Sequence, residues 1–157
     1  MPDNETVMAN LMKQTRVVMG QSGVRDLQDV TENKREIIEP GYAAIGEDPK
    51  QFLSRSPDIV QNIKILEDAA AGRGVINANP DADGVIRRVP LVMLVRDKIK
   101  LALSAETLRI ATGGLSFATK ADVAGINGIV VAKNLVPTDR KGQVWPYFTK
   151  PDSSKYV

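Results

Sequence analysis

Apolar residues recur at helical spacing in two segments of the first half of the chain. The first segment follows Asp3, whose side chain suits it to cap a helix N-terminus. Its predicted apolar face consists of Val7, Met8, Leu11 and Met12. The second segment begins at Ser56-Pro57, a capping residue followed by proline at the first helical position, and ends at Gly72. Its predicted apolar face consists of Ile59, Ile63, Leu66 and Ala70.

A third helix is predicted over residues 101–112, because apolar residues dominate this stretch and Gly113-Gly114 follows as a stop signal. Glu106 and Arg109 form its polar stripe, at a spacing that lets the two side chains meet. We expect the helix to be largely buried, with this pair at the surface or half-buried.

Strands are predicted where short apolar runs replace the helical spacing. Residues 16–20 form one run, and residues 85–95 form a nearly continuous one that we expect to be covered on both faces. Pro90 has no N–H group, so this strand should lie at an edge or be bulged there. Residues 24–57 are polar and irregular, with a short helix as the one element suggested there. The apolar positions of that short helix are Leu27, Val30, Ile37 and Ile38. Further short strands are predicted at residues 129–132, 135–136 and 144–148.

These elements predict an α/β fold in which a mixed β-sheet with a central antiparallel hairpin packs against helices. An α+β arrangement is the alternative. A helix that leads into a buried strand, as at the N-terminus, is typical of the second half of a βαβ unit whose first strand is missing from this sequence. A chain of 157 residues is long enough for one domain with a hydrophobic core and too short to expect two, so residues 1–157 are expected to form one domain.

The most informative segment of the chain spans residues 72–90. Asn79-Pro80 precedes Asp81-Ala82-Asp83-Gly84, which is strong turn chemistry, and apolar residues flank the turn on both sides. The pattern predicts a hairpin with an acidic tip, with Arg87 and Arg88 on the strand that leaves it. Adjacent residues on a strand point to opposite faces, so we expect the two arginines on different sides.

The candidate ligand-binding residues of this segment are Asn77, Asp81, Asp83, Arg87 and Arg88. A guanidinium group suits a carboxylate or phosphate ligand, whereas the competing interpretation is a local ion pair with Asp81 or Asp83 that holds the turn. For Asn77 the competing role is to cap a turn. The two aspartates resemble the start of a calcium loop, but Val92 stands at the twelfth position where such a loop has a glutamate. We therefore predict a structural turn and no metal.

Composition narrows the chemistry that the chain can perform. It has no cysteine and no histidine, which excludes thiol nucleophiles, disulfides, thiolate zinc sites and imidazole general-base catalysis. The net charge is only +2, and aromatic residues make up 4% of the chain. Because the basic residues are dispersed and few aromatic rings can stack on bases, we expect no nucleic-acid partner. No apolar run approaches the roughly 20 residues of a membrane helix.

The acidic turn, together with the helix that follows it, resembles the type-two CHASE domain, an extracytoplasmic sensory domain of bacterial transmembrane receptors. The resemblance is carried by residues 70–74 with Asn77, by Pro80-Asp-Ala-Asp-Gly-Val-Ile-Arg-Arg-Val-Pro-Leu91, by the helix over residues 103–113 and, more loosely, by Val136-Pro137-Thr138-Asp139 with Gly142. The family usually has Pro-Ser where this chain has Leu101-Ala102, so the helix lacks its capping hydroxyl. The family domain extends further at both ends, so the chain resembles its middle portion.

The resemblance implies a sensor outside the cytoplasmic membrane, in the periplasm or at the cell exterior. Membrane helices absent from this chain would link it to an adenylate or guanylate cyclase or to a histidine kinase. The stimulus is an unknown small molecule or a physical signal, and the resemblance assigns no catalytic residue and no cofactor. We also expect a homodimer whose packing shifts when a stimulus acts near the acidic turn.

Two other functions compete with the sensor. A structural or dimerisation module would have the same fold and bind no small ligand. A hydrolase would use Asp81 with Asp83 as its acid and base. The enzyme is disfavoured, because carboxylates two residues apart on an exposed turn do not acquire opposed pKa values.

Overall fold

The computed structural model describes residues 3–26 and 35–147. Its helices are α1 (Asn4–Gln14), α2 (Lys64–Ala69) and α3 (Leu103–Ala111). Its strands are β1 (Val18–Gly23), β2 (Gly41–Gly46), β3 (Arg55–Ser56), β4 (Ile59–Val60), β5 (Gly72–Val75), β6 (Val89–Pro90), β7 (Val92–Val95), β8 (Lys98–Leu101), β9 (Ser116–Asp122), β10 (Gly125–Val131), β11 (Asn134–Pro137) and β12 (Gln143–Val144). A short 3-10 helix spans Pro49–Gln51. Within these residues, no helix has the length and apolar character needed to cross a bilayer.

The strands pair in both orientations, which confirms the predicted mixed α/β class. Parallel pairs join β1 to β5, β2 to β9 and β3 to β7. Antiparallel pairs join β7 to β8, β9 to β10, β10 to β11, β1 to β4 and β6 to β12. The resulting strand orders are β4-β1-β5, β11-β10-β9-β2, β12-β6 and β3-β7-β8.

The main core lies between the β7–β8 hairpin, the β9–β10 pair and helix α3. Every residue of β7 is buried, as the sequence predicts for a strand covered on both faces. The buried side chains of this core include Val92, Leu94, Leu101, Ala105, Phe117, Ile126 and Ile129. The antiparallel hairpin at the centre of the fold is therefore β7–β8, which turns at Arg96-Asp97.

Helix α1 begins as predicted, because the Asp3 carboxylate accepts a hydrogen bond from the Thr6 N–H at 2.7 Å. Of the predicted apolar face, only Met12 is buried. Ala9 and Met12 pack against α2, whereas Val7, Met8 and Leu11 are exposed. Leu11 has 58% of its surface exposed. The helix therefore meets the rest of the fold through a narrow face and leaves an apolar stripe open.

The predicted helix start at Ser56-Pro57 is wrong. Ser56 belongs to β3 and pairs with Val95, and Ile59 belongs to β4 and pairs with Gly23. The Ser56 hydroxyl donates to the Val24 carbonyl oxygen at 2.6 Å instead of capping a helix. Strand pairing with distant segments overrides the local signal here, and α2 is limited to Lys64–Ala69.

The predicted continuous strand over residues 85–95 divides into β6 and β7, and residues 85–88 are irregular. Pro90 lies in the two-stranded β6–β12 pair, which agrees with the predicted edge position. Helix α3 begins two residues later than predicted because β8 occupies Leu101. Its N-cap, Ala102, makes no side-chain capping bond, as expected from the missing hydroxyl.

The remaining differences concern strands whose pairing partners are far away in sequence. β2 and β9 were not predicted, although they pair in parallel along their length. The last predicted strand, residues 144–148, stops at Val144 in the structure; Trp145 and Tyr147 are exposed, and Phe148 lies outside the described residues. Leu27 and Val30, from the weak helix prediction, also lie outside them. Ile37 is buried beside β5 and β7 in non-helical backbone.

Candidate functional site

The acidic turn forms as the sequence predicts. The Gly84 N–H donates to the Asp81 carbonyl oxygen at 2.9 Å, and the Asp81 N–H donates to the Val85 carbonyl oxygen at 3.0 Å. Gly84 has φ of 81°, a left-handed conformation that glycine adopts without strain. The arms of the predicted hairpin are different, because β5 pairs with β1 and β6 pairs with β12. The segment is a tight turn on irregular arms.

Four charged side chains of the turn come together on its surface. Arg87 lies 3.2 Å from the Asp81 carboxylate and 2.6 Å from that of Asp83. Arg88 lies 2.8 Å from Asp81, and its guanidinium carbon is 5.3 Å from the centre of the Trp145 ring. Both arginines therefore reach the same carboxylate. The prediction that they point to opposite faces is wrong, because residues 85–88 do not form a strand.

The ion pairs set the protonation states of the turn. Hydrogen bonds from Arg88 and then Arg87 hold the pKa of Asp81 below its usual range. The hydrogen bond from Arg87 lowers the pKa of Asp83 in the same way. Both carboxylates are thus ionised near neutral pH, and the turn does not provide the opposed acid and base of a hydrolase. Across residues 3–26 and 35–147, no group of three or more potential metal-ligating side chains is clustered.

The side chain of Asn77 contacts a different part of the fold from these four residues. Its amide nitrogen donates to the Gly23 carbonyl oxygen at 2.9 Å, and its amide oxygen accepts from the Gly23 N–H. The side chain thereby substitutes for a strand partner at the end of β1. The five candidate ligand-binding residues consequently divide into one salt-bridged cluster and one backbone clamp, and their assignment to ligand binding stays a prediction.

A buried polar network, which the sequence did not reveal, lies behind β1 and β5. Its centre is Glu67 on α2, which is only 3% exposed. Gln21 donates to one oxygen of this carboxylate at 2.7 Å, and Asn62 donates to the other at 3.1 Å. The Arg73 guanidinium lies 3.2 Å from the first oxygen and also donates to the Glu67 carbonyl oxygen at 3.0 Å. These contacts join three elements of secondary structure, α2, β1 and β5.

A second buried carboxylate continues the network on α3. Glu106 accepts two hydrogen bonds from Arg109, at 2.7 and 2.8 Å, and one from the Arg73 backbone N–H at 3.2 Å. The pair was predicted at or near the surface, yet Glu106 is 1% exposed and Arg109 is 6% exposed. The reason is steric: Gly72 and Gly74 lie against α3, and a Cβ atom on Gly72 would overlap the Glu106 carboxylate.

Lys100 is a further ionisable group inside the fold. Its side chain is almost fully buried, and its ammonium donates to the Ile38 carbonyl oxygen at 3.2 Å. Burial lowers the pKa of Lys100, while the nearby carboxylate of Glu39 opposes that shift. The position of Lys100 between the apolar residues Ile99 and Leu101 was the available sequence signal.

Three residues of the buried network line a cleft of about 230 Å³. One wall consists of Ile38, Glu39 and Pro40, and the opposite walls include Arg73 from β5 with Glu106 and Arg109 from α3. Guanidinium and carboxylate groups therefore face one small volume. This arrangement suits recognition of a small polar molecule better than the acidic turn does, because the charges lie in a concave and largely desolvated site.

Comparison with known proteins places the chain in a family. The CHASE2 domain family matches residues 3–157, which is nearly the whole sequence. No curated protein and no solved structure matches the chain significantly. The match extends beyond the residues that carry the resemblance in the sequence, from the cap of α1 to the C-terminal segment. The chain belongs to the CHASE2 domain family, a family of sensory domains.

Proposed function

We propose that the chain is the extracytoplasmic sensory domain of a bacterial transmembrane signalling receptor, which relays a stimulus to a cytoplasmic adenylate or guanylate cyclase or to a histidine kinase. The observation that carries the proposal is the family match over residues 3–157, because CHASE2 is a family of extracytoplasmic sensory domains. The domain itself is not an enzyme. The lowered pKa values of Asp81 and Asp83 support this, since neither retains the proton that a general acid needs near neutral pH.

A sensor needs a stimulus that favours one of two conformations, because a ligand with equal affinity for both shifts nothing. The buried network supports such a role, since Glu67 and Glu106 connect α2, α3 and β5 through hydrogen bonds that a shift of any one element would break. Membrane helices outside this sequence carry the change to the output domain.

The acidic turn has a supporting role in this proposal. Each of its four charged groups already has an ion-pair partner. Arg87 holds Asp81 and Asp83 through both Nη atoms, so a ligand on these atoms would first have to displace a carboxylate. Exposed ion pairs of this kind contribute little to stability, but they fix the local geometry of the turn.

The exposed apolar stripe of α1 supports a homodimer. Val7, Met8 and Leu11 lie on adjacent turns of the helix and are each at least 44% exposed. Burial of these side chains against a second copy removes apolar surface from water, which favours association. A signal that alters the packing of α1 and α2 would then reach the dimer interface.

The topology of the receptor can be tested because this chain contains no cysteine. Ala82, exposed at the tip of the acidic turn, is replaced by cysteine in a full-length receptor whose other cysteines have been removed. Intact cells are treated with a membrane-impermeant maleimide. We expect labelling of Ala82→Cys without lysis and none of the cysteine-free parent. Labelling that appears only after lysis places the domain in the cytoplasm and refutes the proposal.

The signalling role is tested on the same receptor in isolated membranes. We expect cyclic nucleotide synthesis or autophosphorylation to change when candidate small molecules or altered ionic conditions are applied from the domain side. An output that is insensitive to every such condition, in a receptor whose catalytic domain is active, would favour the structural module over the sensor.

A further inference from the structure

The cleft between residues 38–40, β5 and α3 is lined by charged groups of both signs on separate elements. Arg73 comes from β5, Glu106 and Arg109 come from α3, and Glu39 comes from the segment that precedes β2. In Glu106 both carboxylate oxygens already accept hydrogen bonds from Arg109. Glu39 forms an ion pair with Lys98 at 2.9 Å. The carboxylates of the cleft are thus largely satisfied by the protein.

Arg73 is the exception among these groups. Its side chain is 10% exposed, and its Nε and Nη2 atoms bind the carbonyl oxygens of Glu67 and Ala70. Among the described residues, Nη1 has no hydrogen-bond acceptor. Nη1 is also not fully buried. Within the described ranges, Gln21 Oε1 is the only fully buried side-chain polar atom that lacks a hydrogen-bond partner. The Nη1 atom of this nearly buried guanidinium therefore keeps contact with solvent, and Arg73 is a lining residue of the cleft.

The state of the charged groups in the cleft, and not an excess of positive charge, favours an anion. Arg73 and Arg109 are matched in number by Glu39 and Glu106 among the lining residues. Both carboxylates are already paired with cations of the protein, whereas Arg73 contacts Glu67 through Nε and keeps Nη1 without an acceptor among the described residues. A guanidinium edge with free N–H groups in a partly desolvated site binds a carboxylate through short, charge-assisted hydrogen bonds. The hydrogen bonds to Glu67 and Ala70 hold that edge in place, so little side-chain entropy is lost when a ligand binds.

We propose that this cleft is the ligand site of the domain and that it binds a small organic carboxylate on the Nη1 edge of Arg73. The inference rests on the proposed sensory function and adds the class of ligand to it. A volume of about 230 Å³ limits the ligand to a few carbon atoms, because each water molecule that it replaces occupies about 30 Å³. The methylene and methyl groups of such a ligand lie against Ile38, Pro40 and Leu115 at the mouth of the cleft.

The test uses the whole 157-residue chain and ligands that differ only in charge. Acetate, propionate and butyrate are compared with acetamide, propionamide and butyramide in a thermal-unfolding assay, with sodium chloride added to equal ionic strength. Binding to the folded state raises the Tm in a saturable manner. We expect at least one carboxylate to raise the Tm and its amide not to do so. Equal effects of each acid and its amide, or no saturable effect of any carboxylate, would overturn the proposal.

Variants locate the site without removing the buried charges. Ala71 lines the cleft and is exposed, so Ala71→Leu fills the volume while leaving Arg73 and its partners intact. We expect this variant to fold and to weaken carboxylate binding at least tenfold by calorimetry. Ala82→Leu, on the exposed turn, is the matched control and should bind normally. Arg87→Ala/Arg88→Ala should also bind normally, and loss of binding in that variant with retention in Ala71→Leu would move the site to the acidic turn.

Failure of the cleft proposal can be distinguished from failure of the sensory proposal. Carboxylate binding that Ala71→Leu abolishes, without any change in the output of the full receptor, would establish the cleft and contradict the sensor. A receptor that responds to other conditions, and a chain that binds no carboxylate, would leave the sensor standing and refute the cleft. Arg73→Lys provides a further check: a lysine keeps the charge but lacks the planar edge, so binding should fall even where the variant folds.

Discussion

Replacement of Glu106 by leucine should destabilise the fold far more than its position on a polar helix stripe suggests. The Glu106 carboxylate is 1% exposed and accepts hydrogen bonds from Arg109 Nε, Arg109 Nη2 and the Arg73 N–H. Glu106→Leu leaves all three donors buried without that acceptor. The remaining guanidinium of Arg109 becomes a buried charge with no counter-ion on its own helix.

The magnitude follows from the three lost contacts. Breaking a buried ion pair by removing one partner costs about 3–5 kcal/mol, and hydrogen bonds to charged groups contribute about 1.5–3 kcal/mol each. We therefore expect Glu106→Leu to lower the free energy of unfolding by about 4 kcal/mol. Since a domain of this size has a total stability of about 5–15 kcal/mol, the loss is a large fraction. It corresponds to a fall in Tm of about 8–16 °C.

The assay is urea unfolding followed by far-ultraviolet circular dichroism, arranged as a double-mutant cycle. Arg109→Met should cost a similar amount, and Glu106→Leu/Arg109→Met should cost clearly less than the sum, because the double variant buries no unpaired charge. Asp68→Ala is the matched control, since its ion pair with Lys64 is solvent-exposed and its removal should not change stability measurably. A loss below about 1 kcal/mol for Glu106→Leu, or additive single variants, would refute the reasoning about burial.

Three further predictions concern other parts of the molecule. Gly74→Ala should destabilise the fold by about 3 kcal/mol in the same urea assay, because a Cβ atom there overlaps the Leu103 backbone at the start of α3; a normal unfolding midpoint would contradict the close approach of β5 to α3. Arg88 is the main cause of the low pKa of Asp81, so Arg88→Ala should raise that pKa in a carbon-13 NMR titration. The stabilisation from this pair is present above the unfolded-state pKa of about 3.9 and is lost as the pH falls through the lower folded-state pKa; an unchanged titration curve would exclude the ion pair in solution. Leu11→Glu places a charge on the open stripe of α1 and should shift sedimentation toward the monomer; a wild-type chain that is monomeric at every concentration would remove the basis of the dimer.

The structural features that were predicted most accurately from the sequence are those that depend on residues close together in the chain. The N-cap at Asp3, the turn at Asp81-Ala82-Asp83-Gly84 and the stop at Gly113 each rest on the conformational preference of a few consecutive side chains. The ion pairs of Arg87 and Arg88 with Asp81 are local as well, which is why they could be named as the competing interpretation. The family resemblance was found from this same local segment.

Features that depend on distant partners were not predictable in the same way. Ser56-Pro57 has the chemistry of a helix start, but pairing of Ser56 with Val95 places it in a strand. β2 and β9 contain little that distinguishes them from loops until they are aligned in parallel. Val7, Met8 and Leu11 satisfy the helical pattern of a buried face and still lie in solvent, because α2 offers only a short surface for α1 to cover.

The exposed ion pairs of the acidic turn and the buried ion pairs on α2, β5 and α3 differ in whether they require a functional explanation. Exposed ion pairs such as Arg87–Asp83 need no functional reason, since they form at little cost wherever a turn brings opposite charges together. Buried ones do need a reason, because well-packed apolar residues in place of Glu67, Arg73, Glu106 and Arg109 would be neutral or stabilising. A fold that bears this desolvation cost beside an open cleft, and leaves one guanidinium edge free there, is organised for recognition at that place. The acidic turn identified the family, whereas the buried charges on β5 and α3 identify the surface on which its function should be tested.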